Sequence, residues 1–549
     1  MKSKQRIKNL LIALIFITKV VFTQSTNYFE TSKNLEIFTE LYKELDMFYV
    51  DEIESGELIK TAIDEMLISL DPYTTYIPET DIEDYRFMTT GQYGGIGAII
   101  SKRGDFVYIT EPYEGFPAEK AGMMAGDKIL EVNGKSAKGK TTEDLSSILK
   151  GAPNTSVQIL VERDQKELTF KFDREKVTVK SVPYYGFLED GIAYIKLRSF
   201  TRNCSNEIKK SLDKLKKEQD LKGIVLDLRS NPGGLLNESI DIVNLFVDKG
   251  EEVVVTKGKI KDWEKSYKAK NQPEDISTPL VVLINSGSAS ASEIVSGAIQ
   301  DLDRGVVIGQ RSFGKGLVQQ TKQLPYNSQL KVTVAKYYIP SGRCIQALDY
   351  SNRNDDGSVG KMPDSLLTIF KTRNGREVRD GGGIQPDIKI DKESVSEITI
   401  SLMRERLIFD FATQYRRNTK SIVSAKDFKI TDEIFNEFKS FLSDKDYQYE
   451  TITEDAISVF KDILLEENLL DLVSEQIDLI DDKINQVKEN DIDNNRLEIS
   501  EFLADEIVSR YYYQKGRIIQ QLKDDPYIIE SLRIFNDLDE YNMILNVSN

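Results

Sequence analysis

Two stretches decide how this chain folds: Gly223-Ile224-Val225-Leu226-Asp227-Leu228-Arg229-Ser230-Asn231-Pro232-Gly233-Gly234 and Leu280-Val281-Val282-Leu283-Ile284-Asn285-Ser286-Gly287-Ser288-Ala289-Ser290-Ala291-Ser292-Glu293. Each is a short apolar run closed by a glycine- or serine-rich turn, and each leads into a helical pattern. Continuous apolar runs of this length are strands buried on both faces, and their alternation with helices points to an α/β sheet. The two stretches are therefore strand–turn–helix units of an α/β core, which the pattern places at residues 181–392. Between about 347 and 383 that core carries a polar insertion, including Asn352-Arg353-Asn354-Asp355-Asp356-Gly357, which reads as a surface loop.

Upstream, residues 91–180 change to short strands and glycine turns. Tyr93-Gly94-Gly95-Ile96-Gly97 is a glycine-rich turn entering a strand, Asp105 to Glu111 is a strand, and Pro117 to Gly122 is a short helix. Lys128 to Val132 then runs into the Asn133-Gly134 turn, followed by a helix over 141–150 and strands over 157–163 and 167–172. This order resembles a PDZ domain. Residues 28–90 form a helical prelude, with Leu35, Phe38, Leu41, Tyr42 and Leu45 on one face and Leu58, Ile59, Ile63, Met66 and Leu67 on another. From 393 to 549 glycine nearly vanishes and helical spacing of leucine and isoleucine predicts a C-terminal helical domain for packing or assembly.

The 549 residues call for several domains, and 40% hydrophobic with 30% charged residues is ordinary for a globular chain. A net charge of -17 lacks the basic footprint of nucleic-acid partners. The start, Met1 to Lys8 followed by the apolar run Leu10 to Ile17, has the layout of an export signal over residues 1–23. The run is too short to span a bilayer, and an uncleaved N-terminal anchor with membrane association is the alternative to cleavage. Two cysteines, Cys204 and Cys344, without any histidine exclude a disulfide-built scaffold and a typical structural zinc site. No metal and no cofactor is expected.

The absence of histidine governs the chemistry. A serine nucleophile needs a base, and the Ser-His-Asp arrangement is unavailable, so a neutral lysine is the remaining candidate. Ser290 sits where a buried strand turns into a helix, close to N–H groups that stabilise an oxyanion. Ser290 and Glu293 also fit a capping box, S-x-x-E, and both readings are compatible. Lys315 lies between two glycines beside Phe313, Leu317 and Val318. A lysine base near pH 7 needs its ordinary value of about 10.4 lowered by roughly three units, which burial among apolar neighbours supplies. Gly309 to Lys315 matches the start of a phosphate-binding loop, but Gly316 stands where a hydroxyl must hold magnesium, which excludes an NTPase.

With these motifs the chain resembles the C-terminal processing (tail-specific) serine peptidases of the Ser-Lys type. The likeness runs from about residue 35 to 392, through Leu70-Asp71-Pro72, the PDZ segment, the Asp227 to Gly234 turn, the motifs around Ser290 and Phe313-Gly314-Lys315-Gly316, and Gly382-Gly383-Ile384-Gln385-Pro386-Asp387. The resemblance implies a crotonase-like α/β protease core with an inserted PDZ domain. It assigns the nucleophile to Ser290, the general base to Lys315, and an orienting role to Gln319, four residues on, where one helical turn would bring the two side chains to one face. Backbone N–H groups of Ala291 and of Gly233 or Gly234 are the implied oxyanion donors. Glu293 is read as a cap. The PDZ segment implies recognition of free, apolar C-terminal tails of proteins or peptides, with Gly94, Gly95, Ile96 and Gly97 receiving the carboxylate and Ile96, Ile99, Leu145 and Leu149 lining the side-chain site. The expected location is export to the periplasm of a Gram-negative bacterium, with a membrane-anchored or extracellular protein as the alternatives, and the helical regions offer a surface for a homo-oligomer. A catalytically silent PDZ adaptor on the same fold is the rival reading, and a crotonase-like acyl-transfer enzyme is disfavoured by the PDZ segment.

Overall fold

The computed structural model describes residues 28–350, 353, 358–360, 367–391 and 394–547. The export signal over 1–23 and most of the 352–357 loop lie outside the described residues. The chain divides into two units, one of residues 1–76 with 321–324 and 329–332, the other holding the remainder.

In the smaller unit, helix α1 (28–48) is followed by α2 (Ser55–Ile68). Asp71 ends the second helix with an Asx turn, its Oδ1 accepting the N–H groups of Tyr73 and Thr74 at 2.8 Å each. The helices form where the periodicity places them, but the apolar face of α1 is not buried: Leu35, Phe38, Leu41 and Leu45 are all exposed. Periodicity identifies an apolar face and not what covers it.

In the larger unit, strands β1 (Gln92–Gly95) and β7 (Glu175–Thr178) pair antiparallel and bracket the PDZ segment. The segment's own sheet has the order β2 (Ala98–Arg103), β3 (Phe106–Pro112), β4 (Lys128–Val132), β5 (Ser156–Arg163), β6 (Lys166–Asp173). Strand β2 is thus an edge. Helix α3 (Thr142–Leu149) starts in a capping box between Thr141 and Asp144 and buries Leu145 and Leu149 against Ile96, Val107, Ile109, Ile129 and Ile159. The stretch Tyr93-Gly94-Gly95, expected as a turn, is strand. Its glycines admit close neighbours: a Cβ on Gly94 would stand 2.1 Å from the Gly151 carbonyl oxygen.

The α/β core is a six-stranded sheet in the order β8 (Tyr184–Glu189), β9 (Ile192–Lys196), β10 (Gly223–Asp227), β11 (Leu280–Ile284), β12 (Val306–Gly309), β15 (Ile388–Lys389). All but the first pairing are parallel. Every residue of β10 and β11 is buried, as their unbroken apolar runs require. One face is covered by α4 (Cys204–Glu218), α5 (Leu236–Val243) and α6 (Ala291–Asp301). Strands β13 (Leu317–Gln323) and β14 (Gln329–Tyr338) pair in a second sheet. Part of the expected surface loop is structured, because Ile369–Lys371 pairs with Glu377–Arg379 and Arg376 bonds to Asp303 and Asp387 at 2.6 Å each.

The C-terminal helices do not form one bundle. Helices α7 (Glu397–Arg404), α8 (Leu407–Asn418), α9 (Asp432–Leu442) and α10 (Arg496–Gln521) share one apolar core. Helices α11 (Pro526–Asn536) and α12 (Leu538–Ile544) instead cover the second face of the core sheet through Ile528, Ile534, Phe535 and Tyr541. The Tyr541 hydroxyl accepts from the Leu280 N–H at 3.0 Å. No helix among the described residues is long and apolar enough to cross a membrane. Cys204 and Cys344 are both free thiols.

Candidate active site

Strands β10 and β11 are parallel neighbours, so the turns at their carboxyl ends meet. In α/β sheets that is where ligands bind. Asn285 ties the two turns together: its Oδ1 accepts from the Ser230 N–H at 2.7 Å and the Gly287 N–H at 3.1 Å. The buried Asn231 carbonyl accepts from the Ala289 N–H at 3.0 Å and the Ser292 hydroxyl at 2.9 Å.

Ser290 is the residue before α6, with φ 56° and ψ −111°. A non-glycine residue in this sparsely populated region stores about 1–3 kcal/mol of strain, and such outliers cluster at functional sites. Gly233 packs directly against it: a Cβ there would lie 2.9 Å from both the Ser290 Cβ and the Ala291 nitrogen. Gly233 also has φ 95°, so the close approach and the backbone conformation both demand glycine.

The Gly233 N–H is already donated to Asn231 Oδ1 at 2.9 Å. Among the described residues, the N–H groups of Ala291 and Gly234 have no protein acceptor. Of the three expected oxyanion donors, these two are open and Gly233 is committed.

Lys315 lies in an extended loop between β12 and β13 and is half-buried. The loop is fastened to Ser290 from two sides. Glu293, at the third position of α6, is completely buried, and its Oε2 accepts from the Ser290 N–H at 2.7 Å and the Lys315 N–H at 2.9 Å. Its Oε1 accepts from the Gly314 N–H at 2.7 Å and the Ser312 hydroxyl at 2.5 Å. Burial lifts the Glu293 carboxyl to about 7 against the pull of these four donors. Tyr337, on β14, brings its hydroxyl to 3.1 Å from the Ser290 carbonyl oxygen and 2.7 Å from that of Lys315. One carboxylate thus spans the two N–H groups and one phenol the two carbonyls.

Several expectations need correction. Lys315 and Gln319 do not share a helical turn, because Gln319 lies in strand β13, where its Nε2 donates to Thr333 Oγ1 at 3.1 Å. Phe313, expected to help bury Lys315, is itself 51% exposed. Glu293 is a cap, since it accepts the Ser290 N–H, but it also cross-links the lysine loop. The loop after Gly309 leads into a strand and not a helix, unlike a phosphate-binding loop.

At the PDZ segment, Ile96, Leu145 and Leu149 are buried core residues, and of the four expected lining side chains only Ile99 is half-buried on the edge strand. Gly94 and Gly95 are held in the β1–β7 pairing, and the turn proper is Ile96-Gly97, with Gly97 at φ 73°.

Behind the Asn231 turn, Asp227 is fully buried and bound by Tyr194 Oη at 2.7 Å, by Arg229 Nη2 at 2.7 Å and by Lys196 Nζ at 3.1 Å. Burial alone would raise its carboxyl, but Arg229 and Lys196 overcome that and hold it well below the usual carboxylate range. Arg229 in turn pairs with Asp525 at 2.7 Å and stacks over Tyr527, 4.5 Å from the ring centre.

Residues 191–351 match the family described as Peptidase family S41, 108–163 match a PDZ domain, and 398–535 match the probable PDZ-protease C-terminal helical domain. A probable CtpA-like serine protease of Staphylococcus aureus strain COL is 33% identical over 457 residues, spanning 82% of this chain and 89% of that protein. A carboxy-terminal-processing protease of Bartonella bacilliformis is 36% identical over 347 residues, 61% of this chain and 79% of the other. Among solved structures, a photosystem II D1 C-terminal processing protease is 29% identical, with a TM-score of 0.36 over 64% of this chain and 92% of that one. The chain belongs to peptidase family S41, as a C-terminal processing serine protease that carries a PDZ domain and a C-terminal helical domain.

Proposed function

We propose that this protein is an exported endopeptidase that captures C-terminal tails of protein substrates on its PDZ domain and cleaves peptide bonds through Ser290 with Lys315 as base. The observation that carries this reading is the double fastening of the Ser290 and Lys315 backbones by Glu293 and Tyr337. Such a clamp holds a nucleophile and a base in fixed register, which is what proximity catalysis requires. The neutral Lys315 amine takes the Ser290 hydroxyl proton as Oγ bonds to the substrate carbonyl carbon. The oxyanion is met by the open N–H groups of Ala291 and Gly234. The ammonium then returns its proton to the leaving amine as the C–N bond breaks, and water hydrolyses the acyl-enzyme by the same route. Gln319 orients the amine.

Tail capture uses the turn before β2 for the carboxylate and the free edge of β2 for the peptide backbone. The functional division is 1–23 export signal or anchor, 28–90 N-terminal helices, 91–180 PDZ domain, 181–392 protease core and 393–549 C-terminal helices, of which α11 and α12 pack on the core. Self-association proceeds through helical regions, for which the exposed apolar face of α1 is the support. The test is degradation of an unfolded protein with an apolar free C-terminus: the parent protein degrades it, and Ser290→Ala does not while still binding the tail. Equal turnover by the variant sinks the nucleophile, and no turnover by either protein leaves the silent adaptor as the reading.

A further inference from the structure

Glu293 and Tyr337 are not alone in holding the lysine loop. Residues 344–347 run beside it as a strap without regular secondary structure. Gln346 Oε1 accepts from the Gly316 N–H at 2.7 Å, and the Ala347 N–H donates to the Gly314 carbonyl oxygen at 2.9 Å. The two peptide planes that flank the Lys315 Cα are therefore each held at both edges. In the plane from Gly314 to Lys315, the carbonyl accepts from Ala347 and the N–H donates to Glu293. In the plane from Lys315 to Gly316, the carbonyl accepts from the Tyr337 hydroxyl and the N–H donates to Gln346. The flanking glycines admit the strap: a Cβ on Gly314 would lie 2.5 Å from the Ala347 Cβ, and one on Gly316 2.8 Å from the Gln346 nitrogen. Gln346 is buried, and its amide orientation follows from its partners, because its Nε2 donates to the Leu348 carbonyl oxygen at 2.9 Å. The strap is anchored in turn to the helix that carries the nucleophile. Arg343, at its entrance, is buried and donates through Nη2 to Gln300 Oε1 and Asp301 Oδ1 at 2.8 Å each, at the carboxyl end of α6.

We propose that Gln346 is a positioning residue for the general base: by holding the Gly316 N–H it locks the peptide plane from which the Lys315 side chain departs toward Ser290. The inference rests on Lys315 as the base and adds what keeps that base in register. Gly316 is the weak point of the loop, because a glycine lets the preceding peptide plane swing at little steric cost. Tyr337 holds one edge of that plane, and a single edge leaves it a hinge. Gln346 holds the other edge and removes the hinge. The glycine that the strap needs for its close approach is thus made rigid by the strap itself. Since α6 starts at Ser290 and grips Arg343 at its far end, nucleophile and base are referred to one helix. Fixed register of this kind is what an intramolecular proton transfer exploits.

The test compares the full chain with its Gln346→Met variant, in which the side chain keeps its length and loses the amide. Steady-state cleavage of a quenched fluorescent peptide ending in two valines as free acid is measured from acid to alkaline pH. The variant is expected to lose about tenfold in kcat, less than the roughly 100-fold that a 1 Å misplacement of a reacting group costs, with KM unchanged. The acid limb of kcat/KM, which reports the base in the free enzyme, is expected to move up by about one pH unit, because an amine that is no longer held in place gains water and favours its charged form. Hydrogen exchange at the Gly316 amide should accelerate, which reports the lost acceptor without any substrate. An acid limb present in the parent and unmoved or lowered in the variant overturns the positioning role and leaves Lys315 as the base, even where kcat falls. A parent without an acid limb overturns the base itself. Unchanged exchange at Gly316 refutes Gln346 as the acceptor of its N–H. Loss of peptide binding by Gln346→Met, measured in the Ser290→Ala background, makes the strap a folding element and equally overturns the proposal.

Discussion

Removing the Glu293 carboxylate should disable the enzyme without touching substrate. Glu293→Ala takes the acceptor from four donors at once, the buried Gly314 N–H and Ser312 hydroxyl and the partly buried N–H groups of Ser290 and Lys315. Each buried donor left unsatisfied costs about 1–3 kcal/mol, so the loss is on the order of 4 kcal/mol or more. Part of it is avoided by local relaxation, and that relaxation is what damages catalysis: Ser290, freed from φ 56°, releases its strain by moving. A displacement of about 1 Å at a reacting group costs roughly 100-fold in rate. Glu293→Gln is milder, because its NH2 can turn to Ser312 Oγ while its oxygen keeps the Ser290 and Lys315 N–H groups. The Gly314 N–H and the Ser312 O–H then lose this acceptor, at about 1–3 kcal/mol for each that finds no other. The expected order of kcat is parent, then Gln about tenfold lower, then Ala at least about 100-fold lower, with KM for a tail-bearing substrate unchanged because the tail docks on the PDZ domain. Steady-state kinetics, with peptide binding as the control for intact folding, reads this directly. Parental kcat in Glu293→Ala would refute the argument, and a loss confined to KM would show that the carboxylate serves binding instead.

The same carboxyl sets a pH dependence of stability. Burial raises Glu293 from 4.5 to about 7, so the folded chain holds this proton more tightly than the unfolded chain. Its contribution, on the order of 3 kcal/mol, is complete below pH 4.5 and lost as pH rises through 7. The stability gap between the parent and Glu293→Gln, which cannot ionise, should therefore narrow from pH 5 to pH 8 in denaturant titrations; a constant gap contradicts it. Lys315→Arg should be inactive despite keeping its charge, because a guanidinium does not deprotonate in a protein. Activity within about tenfold of the parent, a barrier change of roughly 1.4 kcal/mol, would make Lys315 an electrostatic group and not a base.

Strands β10 and β11 were legible because burial on both faces leaves an unbroken apolar run, and the serine at the end of β11 was legible because a strand can only hand over to a helix through such a turn. The PDZ strands were legible through their punctuation, with Asn133 at φ 52° and Gly134 at φ 75° in the expected Asn-Gly turn. What escaped was every relation set by tertiary packing. Glu293 has the spacing of a cap, and nothing local says that a loop 22 residues later donates to the same oxygens. Tyr337 is one tyrosine in a strand, with no pattern to distinguish it. Gln319 was misplaced because a spacing of four satisfies both a helical turn and, in extended chain, the period of two. The Tyr93 strand read as a turn because glycine usually marks one, whereas here glycines leave room for a ring and for a neighbouring backbone.

Helical periodicity also cannot say which core a helix joins, and the C-terminal region turns on that point. Its helices reach both functional parts of the larger unit. Toward the protease core, Asp525 and Tyr527 hold Arg229, whose own grip on Asp227 fixes the strand end that leads into Ser230 and Gly233. Toward the PDZ domain the contacts are polar: Arg406 donates to Ser101 at 2.8 Å, Arg103 pairs with Asp410 at 2.7 Å, and Arg517 pairs with Glu111 at 3.0 Å. Tyr513 donates to Glu119 at 2.9 Å from the one residue of α10 with non-helical angles, so the break in that helix is where it meets the PDZ domain. The two interfaces differ in kind. Apolar side chains of α11 and α12 complete the core sheet and cannot leave it without exposing Ile528, Ile534 and Phe535, whereas the PDZ side is held by ion pairs that range from the partly exposed Arg103–Asp410 to Arg517 on the buried Glu111. The C-terminal region therefore covers the second face of the core sheet with apolar side chains and joins the PDZ domain through polar contacts, of which the pair on buried Glu111 is the costliest to break.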